Sequence, residues 1–222
     1  MKVIVFGASG MVGQGVVREC LAAADVERVL VVVRAPMALE HPKLRQLVHR
    51  DFYDYRDVEG ELTGYDACFF CLGVSSAGMK EPDYKRVTYD LTLAAATALA
   101  RLDPAMTFIY VSGAGPDSSG AGRAMWARVK GQTENALLAL PFKRAYMFRP
   151  GFIRAAPGVV SRTALYRVLY VFIGFMYPLF KLLMPRMVST SEQIAHAMLA
   201  VARDGGDHKI LEVPEINRRA SA

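Results

Sequence analysis

The chain has 222 residues, a formal net charge of +6, 53% hydrophobic residues and 22% charged residues, with a mean hydropathy of +0.20. That length suits one globular domain with an ample core, and the hydropathy excludes whole-chain disorder. A basic balance admits acidic ligands, nucleic acid or an anionic membrane surface, so its location matters more than its sum.

The amino terminus opens with a four-residue apolar run, Val3–Phe6, too short for the core of a signal peptide, and a glycine turn follows at once. The first two thirds then alternates β-branched runs with helical patterns. Lys2–Phe6 is a predicted strand, and Met11–Ala23 a predicted helix. Arg28–Val33, Val48–Phe52 and Ala67–Leu72 are the next three strands. A long helix fits Tyr84–Leu102, ended by Asp103-Pro104. Met106–Ser112 is a fifth strand, Arg123–Leu140 a helix and Arg144–Arg149 a sixth strand. Repeated strand–helix units with apolar strands predict a doubly wound, parallel α/β sheet. Its loops after the strands share one edge, where ligands bind.

The sharpest motif is Gly7-Ala8-Ser9-Gly10-Met11-Val12-Gly13, which follows a strand and opens a helix. A tight exit at Gly7, close backbone approach at Gly10 and helix–sheet packing at Gly13 suit a dinucleotide pyrophosphate. The helix start adds unpaired N–H groups and a positive dipole end. The second strand ends at Val33-Arg34. A carboxylate there would hold the ribose 2′-hydroxyl of NAD, whereas Arg34 offers charge-assisted hydrogen bonds to a 2′-phosphate. The expected cofactor is therefore NADP(H) rather than NAD(H).

Three cysteines, Cys20, Cys68 and Cys71, cannot all pair within one chain, so a reduced, cytoplasmic setting is expected. Cys68 and Cys71 have C-x-x-C spacing, but they lie in a strand and point to opposite faces. With four scattered histidines, His41, His49, His196 and His208, no metal site is expected.

Several further motifs fall at strand ends: Asp51-Phe52, Cys71-Leu72-Gly73, Tyr110-Val111-Ser112-Gly113 and Arg149-Pro150-Gly151, with Lys130 on the helix between the last two. Together with the glycine turn they resemble the short-chain dehydrogenase/reductase superfamily in its atypical, epimerase-like branch. Within that branch the group around the human Tat-interactive protein is similar. The resemblance covers about Met1–Ile153, more loosely Val188 onward, and implies a Rossmann-like fold. It places Asp51-Phe52 beside the adenine, Cys71-Leu72-Gly73 beside the ribose and Arg149-Pro150-Gly151 near the nicotinamide. It makes Ser112 and Lys130 catalytic, with Lys130 also holding the cofactor ribose. The sequence departs from the family at one position. The family's Tyr-x-x-x-Lys reads Trp126-Ala127-Arg128-Val129-Lys130, and an indole N–H donates hydrogen bonds but has no accessible acid–base equilibrium. A positioned proton donor is typically worth about 10²–10⁴-fold in rate. Turnover is endangered, cofactor binding is not. Several readings follow: an oxidoreductase acting on a carbonyl or alcohol, with Tyr84, Tyr89 or a water relayed by Lys130 supplying the proton, or with Ser112 sufficing by polarising a substrate whose own chemistry carries it; a non-catalytic NADP(H) sensor or scaffold; or epimerase or dehydratase chemistry.

The basicity is local. From Asn135 to Ser191 there is no Asp or Glu, against eight cations: Lys143, Arg144, Arg149, Arg154, Arg162, Arg167, Lys181 and Arg186. The apolar run Val168–Phe180 is 13 residues, about 20 Å as a helix and short for a bilayer span. Residues 155–222 are expected to form a helical lobe. Its segment 162–186 would cap the pocket, make a homodimer interface or lie on a membrane surface. A recognised nucleic-acid motif is absent, and no nucleic-acid partner is expected. Ser189 and Glu192 have the spacing of a capping box for a helix over Ser191–Arg203. Lys209–Val213 is a closing strand, and Asn217–Ala222 is expected to fray.

Overall fold

The structure, a computed structural model, describes residues 1–154 and 188–221. Strand β1 (Lys2–Phe6) runs into the glycine turn, and α1 (Met11–Ala22) returns the chain to β2 (Arg28–Val33). Strand β3 (Leu44–Val48), a 3-10 segment at Arg56–Glu61 and β4 (Ala67–Phe70) follow. Helix α2 (Glu81–Lys85) passes through a π turn at Arg86–Asp90 into α3 (Leu91–Leu102). Then come β5 (Thr107–Val111), α4 (Met125–Ala139), β6 (Arg144–Arg149) and β7 (Phe152–Arg154). After the gap lie β8 (Val188–Thr190), α5 (Ser191–Asp204), β9 (Ile210–Glu212) and α6 (Val213–Arg219).

Seven strands form one parallel sheet in the order β3-β2-β1-β4-β5-β6-β9, and β7 pairs with β8 in a second, two-stranded sheet. Parallel strands need crossover helices, and these cover both faces, so the strands are apolar on both sides. Val3, Val5, Val29, Val31, Phe69, Ile109 and Phe148 face α1, α5 and α6. Ile4, Phe6, Leu30, Val32, Phe70, Phe108, Tyr110 and Met147 face α3 and α4. Cys68 belongs to the second face and Cys71 packs against the first, so their spacing does not make them a pair. Phe6 stacks on Phe70 across neighbouring strands at 5.1 Å, and removing either ring would cost about 3–5 kcal/mol. The chain is thus a single doubly wound domain with a carboxy-terminal helical part.

Several local expectations shift. The third strand is Leu44–Val48, not Val48–Phe52. At the sheet edge, polar Arg45 and Gln46 can face outward, while Phe52 leaves the ladder to pack edge-on against Phe6 at 6.1 Å. The long helix begins earlier than Tyr84, because Pro82 sits in the first turn of α2, where a missing N–H costs nothing. The capping box is Thr190 with Gln193, not Ser189 with Glu192: Gln193 N donates to Thr190 Oγ1 at 3.0 Å and Thr190 N to Gln193 Oε1 at 2.9 Å. Ser189 is drawn away, donating to Asn217 Oδ1 at 2.8 Å. That contact also ties down Asn217, the first residue of the end expected to fray, inside α6. Asn217 Nδ2 donates to the Val188 carbonyl at 2.9 Å, and Ile216 is fully buried. Segment 162–186, with its expected roles as cap, dimer interface or membrane contact, lies outside the described residues. Among the described residues, no helix is long and apolar enough to cross a membrane.

Candidate active site

Because all the strands of the main sheet are parallel, their carboxyl ends meet along one edge. The expected site residues lie there: Gly7–Gly13 after β1, Arg34 after β2, Asp51-Phe52 beyond β3, Cys71-Leu72-Gly73 after β4, Ser112-Gly113 after β5 and Arg149-Pro150-Gly151 at the end of β6.

At the glycine end the backbone does the work. Gly7 has φ +76°, and a Cβ on it would stand 2.7 Å from the carbonyl of Cys71 and the amide of Leu72. A Cβ on Gly13 would stand 2.0 Å from the Gly7 oxygen. Strand β4, the turn and α1 therefore approach as closely as hydrogen atoms allow. Gly10 is the N-cap of α1 and supplies no side-chain cap, and the first turn contains no acidic residue. The leading N–H groups of α1 are left to an external acceptor, which fits a phosphate-bearing cofactor. Ser9 offers its hydroxyl from the middle of the turn, while its carbonyl accepts from Gln14 Nε2 at 3.0 Å. Arg34 is exposed, one residue beyond buried Val33, and Asp51 is exposed while Phe52 is buried. His49 stacks near-parallel on Phe52 at 6.2 Å.

The serine end is built from side chains. Ser112 is buried, and its hydroxyl donates to Glu134 Oε1 at 2.5 Å, with the Phe148 and Gly113 carbonyls farther off at 3.2 and 3.4 Å. Glu134, on α4, is fully buried and held by a fork from Arg149: Nε to Oε1 at 3.0 Å and Nη2 to Oε2 at 2.5 Å. Arg149 also reaches Glu212 Oε1 at 3.2 Å and Ser118 Oγ at 3.1 Å, so its guanidinium is already engaged by protein groups. Pro150 contributes its carbonyl, which accepts from Ala114 N at 2.8 Å.

Lys130 lies one turn before Glu134 on α4, with Nζ 5.7 Å from the centroid of the buried Tyr110 ring. Burial pushes its ammonium down to about 8, partly offset by Glu134. No hydrogen bond among the described residues joins Lys130 to Ser112. Trp126, by contrast, is 38% exposed, and its ring edge packs beside Gly115. Of the tyrosines that could replace the missing acid, Tyr84 is buried and its hydroxyl pushed up by desolvation. Tyr89 lies instead in an open groove of about 500 Å³ between Tyr53–Glu59 and α3. It stands apart from Ser112.

Glu134, Ser118 and Glu212 are the participants that motif reading missed. The signal for Glu134 is a carboxylate on the buried stripe of α4, among Ala127, Val129 and Leu137. A second group missed is Glu19, Glu192 and His196, whose ligand atoms lie within 4.8 Å of one another between α1 and α5. Arg18 already pairs with both carboxylates, at 2.9 and 3.8 Å, and His196 Nε2 lies 3.0 Å from Glu19. The spacing of Glu192 and His196, four apart on a helix, was the available sign.

The profile of a family described as NAD(P)H-binding matches residues 7–139, which run from the glycine turn to the end of α4. The chain belongs to this NAD(P)H-binding family. That membership, with the relatives below, agrees with the resemblance read from the motifs. It is 26% identical over 155 residues to "Protein FMP52-1, mitochondrial" of Scheffersomyces stipitis, covering 69% of this chain and 67% of that one. It is 30% identical over 156 residues to "Protein FMP52, mitochondrial" of Saccharomyces cerevisiae, covering 68% and 65%. It is 27% identical over 155 residues to "Protein HTATIP2" of Rattus norvegicus, covering 68% and 62%. The matched region thus spans 62% to 67% of these relatives' own length. The fold is shared with the Bordetella bronchiseptica enzyme WbmF in complex with NAD⁺, at a TM-score of 0.70 and 17% identity over 99% of this chain and 76% of that one. It is also shared with the Helicobacter pylori ADP-L-glycero-D-manno-heptose-6-epimerase, at 0.66 and 15% over 97% and 79%.

Proposed function

We propose that the protein binds NADP(H) in preference to NAD(H) and uses it as an oxidoreductase on a small carbonyl or alcohol substrate. One observation carries the reading: an uncapped α1 start meets the glycine turn while Arg34, not a carboxylate, follows β2. In this proposal Gly7, Ala8, Ser9, Gly10, Met11, Val12 and Gly13 receive the pyrophosphate and Arg34 the 2′-phosphate. Asp51 and Phe52 border the adenine, and Cys71, Leu72 and Gly73 the ribose. Pro150 and Gly151 flank the nicotinamide, with Arg149 fixing that turn from below. Each charge-assisted hydrogen bond from Arg34 contributes roughly 1.5–3 kcal/mol. Arg34→Glu should therefore weaken NADPH binding by about 10- to 100-fold and leave NADH binding unchanged. An equal loss for both cofactors would sink the NADP(H) assignment.

A bound nicotinamide supplies or takes the hydride, and the chain must then manage the proton. Trp126 cannot exchange one. Lys130 can, because burial brings its acid–base equilibrium near neutral pH, where a general acid is most effective. Ser112 is held at the same sheet edge and contributes oxygen lone pairs. The test is NADPH oxidation across a panel of aldehydes and ketones, followed by the loss of nicotinamide absorbance. Turnover should fall by about 10²-fold or more in Lys130→Met. NADPH binding without turnover on any substrate would favour a non-catalytic binder, the reading that Trp126 supports.

For the compartment we keep the cytoplasm as the proposal, supported by the buried thiols of Cys20 and Cys68, which burial holds protonated. Cell fractionation tests it, and recovery with mitochondria, the location printed in the yeast relatives' names, would overturn it. Membrane contact through 162–186 is a separate proposal. Anionic vesicles should retain the protein at low salt and release it at high salt.

A further inference from the structure

Helix α4 buries Ala127, Val129, Thr133 and Leu137, and in their midst a carboxylate with no exposure at all. A buried charge persists only when it is paired and its lone pairs are satisfied. Glu134 meets that condition through three hydrogen bonds, two from the Arg149 fork and one from Ser112. Family membership does not require Ser112 to be spoken for in this way. A serine hydroxyl has a single proton. The charged oxygen at 2.5 Å is a stronger acceptor than the neutral carbonyls of Phe148 and Gly113 at 3.2 and 3.4 Å. With that proton given inward to Glu134, Ser112 has only lone pairs left to offer a ligand.

The same carboxylate reaches further through its cation. Arg149 Nη2 donates to Ser118 Oγ at 3.1 Å and Nη1 to Glu212 of β9 at 3.2 Å. The Ser118 carbonyl accepts from Asn135 Nδ2 at 2.9 Å, one residue beyond Glu134. The neighbouring Asp117 N donates to the Ala127 carbonyl at 2.9 Å, and Ala114 N to the Pro150 carbonyl at 2.8 Å. Loop 113–124, which leads into Trp126, is therefore fastened to α4 and to the end of β6 around one buried charge.

The geometry points to Glu134 as the positioning residue of this edge: it fixes Ser112 as a hydrogen-bond acceptor and, through Arg149 and Ser118, locks loop 113–124. The inference rests on reading this edge as the nicotinamide end, but its test needs no cofactor. Trp126, at the start of α4 with its ring beside Gly115 of the loop, is the only tryptophan in the chain, so emission under selective tryptophan excitation reports the junction of loop and helix. Acrylamide quenching of the full chain without nucleotide should rise about two- to threefold in Glu134→Gln, as local opening becomes easier. Ser118→Ala, which leaves the buried pair intact, should give a smaller rise with an unchanged melting temperature. Ser112→Ala should loosen the loop alone but add nothing on a Glu134→Gln background, since both remove one contact.

A role in packing alone would not move the acid–base behaviour of the neighbouring ammonium. Among the described residues, the titratable groups beside Lys130 are Glu134 on its own helix and Tyr110 on β5, with Tyr84 on α2 facing Tyr110. The pH midpoint of Trp126 emission should fall by about one unit in Glu134→Gln and stay fixed in Ser118→Ala. Should Glu134→Gln not fold, the Ser118→Ala and Ser112→Ala quenching data decide. Parent-like quenching in both, or strictly additive effects of Ser112→Ala and Glu134→Gln, overturns the proposal. Loss of NADPH affinity for Arg34→Glu bears on the cofactor reading and leaves this one untouched.

Discussion

At Gly7–Gly13 the sheet edge ends in backbone, with no side-chain cap at the start of α1, and Arg34 after β2 stands exposed. At Ser112–Arg149, on the same edge, a buried carboxylate, a guanidinium and a hydroxyl already satisfy one another. The first region is complementary to something absent from the chain. The second is complementary to itself. A ligand can dock on the glycine side without breaking a protein contact, whereas the serine side must keep its contacts to stay folded. Mutations should therefore separate the two, with stability following the serine side and affinity the glycine side.

The largest effect should come from Arg149→Met. It strands the unexposed Glu134 without its guanidinium partner, a loss of about 3–5 kcal/mol. Urea denaturation would measure it, and Glu134→Gln placed on the same chain should restore most of the loss. If Arg149→Met instead left stability intact and removed cofactor affinity, the division between the two regions would fail. Gly13→Ala comes next. Its methyl group would stand 2.0 Å from the Gly7 oxygen, and the turn must shift at a cost on the order of 2–3 kcal/mol. The same shift misaligns the α1 amides, so NADPH affinity should fall at least tenfold, read by titration of Trp126 emission. An unaltered affinity would show that the turn is only a connection.

How legible each region was follows from the same contrast. The glycine turn is contiguous, and Gly7 and Gly13, where a Cβ would collide with backbone, are spelled by the only residue that fits them. The serine network joins residues 22, 15 and 63 apart in the chain. No local spacing announces such a set, and Glu134 looks like one more helix former until α4 is packed. The parallel, doubly wound sheet was equally readable, because apolar strands buried on both faces alternate with helices. The register at the edge was not. Strand β3, with polar Arg45 and Gln46, is an edge strand of the described sheet, and the helix start at Thr190 goes with Ser189 being taken by Asn217. The second outcome was decided by a partner 28 residues away in sequence.

The finest division between the regions concerns protons. Burial lowers Lys130 from 10.5 to about 8, while the unfolded chain releases that proton near the ordinary value. Between those two pH values the unfolded chain binds more protons than the native one, so this group's contribution to stability rises with pH across that window. Below about pH 8 both states carry the ammonium, and the native state bears the whole desolvation penalty. Lys130→Met removes the penalty, so the variant should be the more stable at pH 7 and lose that lead by pH 10. The measurement is the difference in melting temperature between parent and variant at each pH. Cys20, pushed up to about 12, is present in both chains and cancels from that difference. Parallel curves would mean that Lys130 is hydrated like a surface lysine. The serine side would then lack an ammonium tuned to exchange a proton near neutrality, and only the cofactor-binding half of the edge would keep its assigned chemistry.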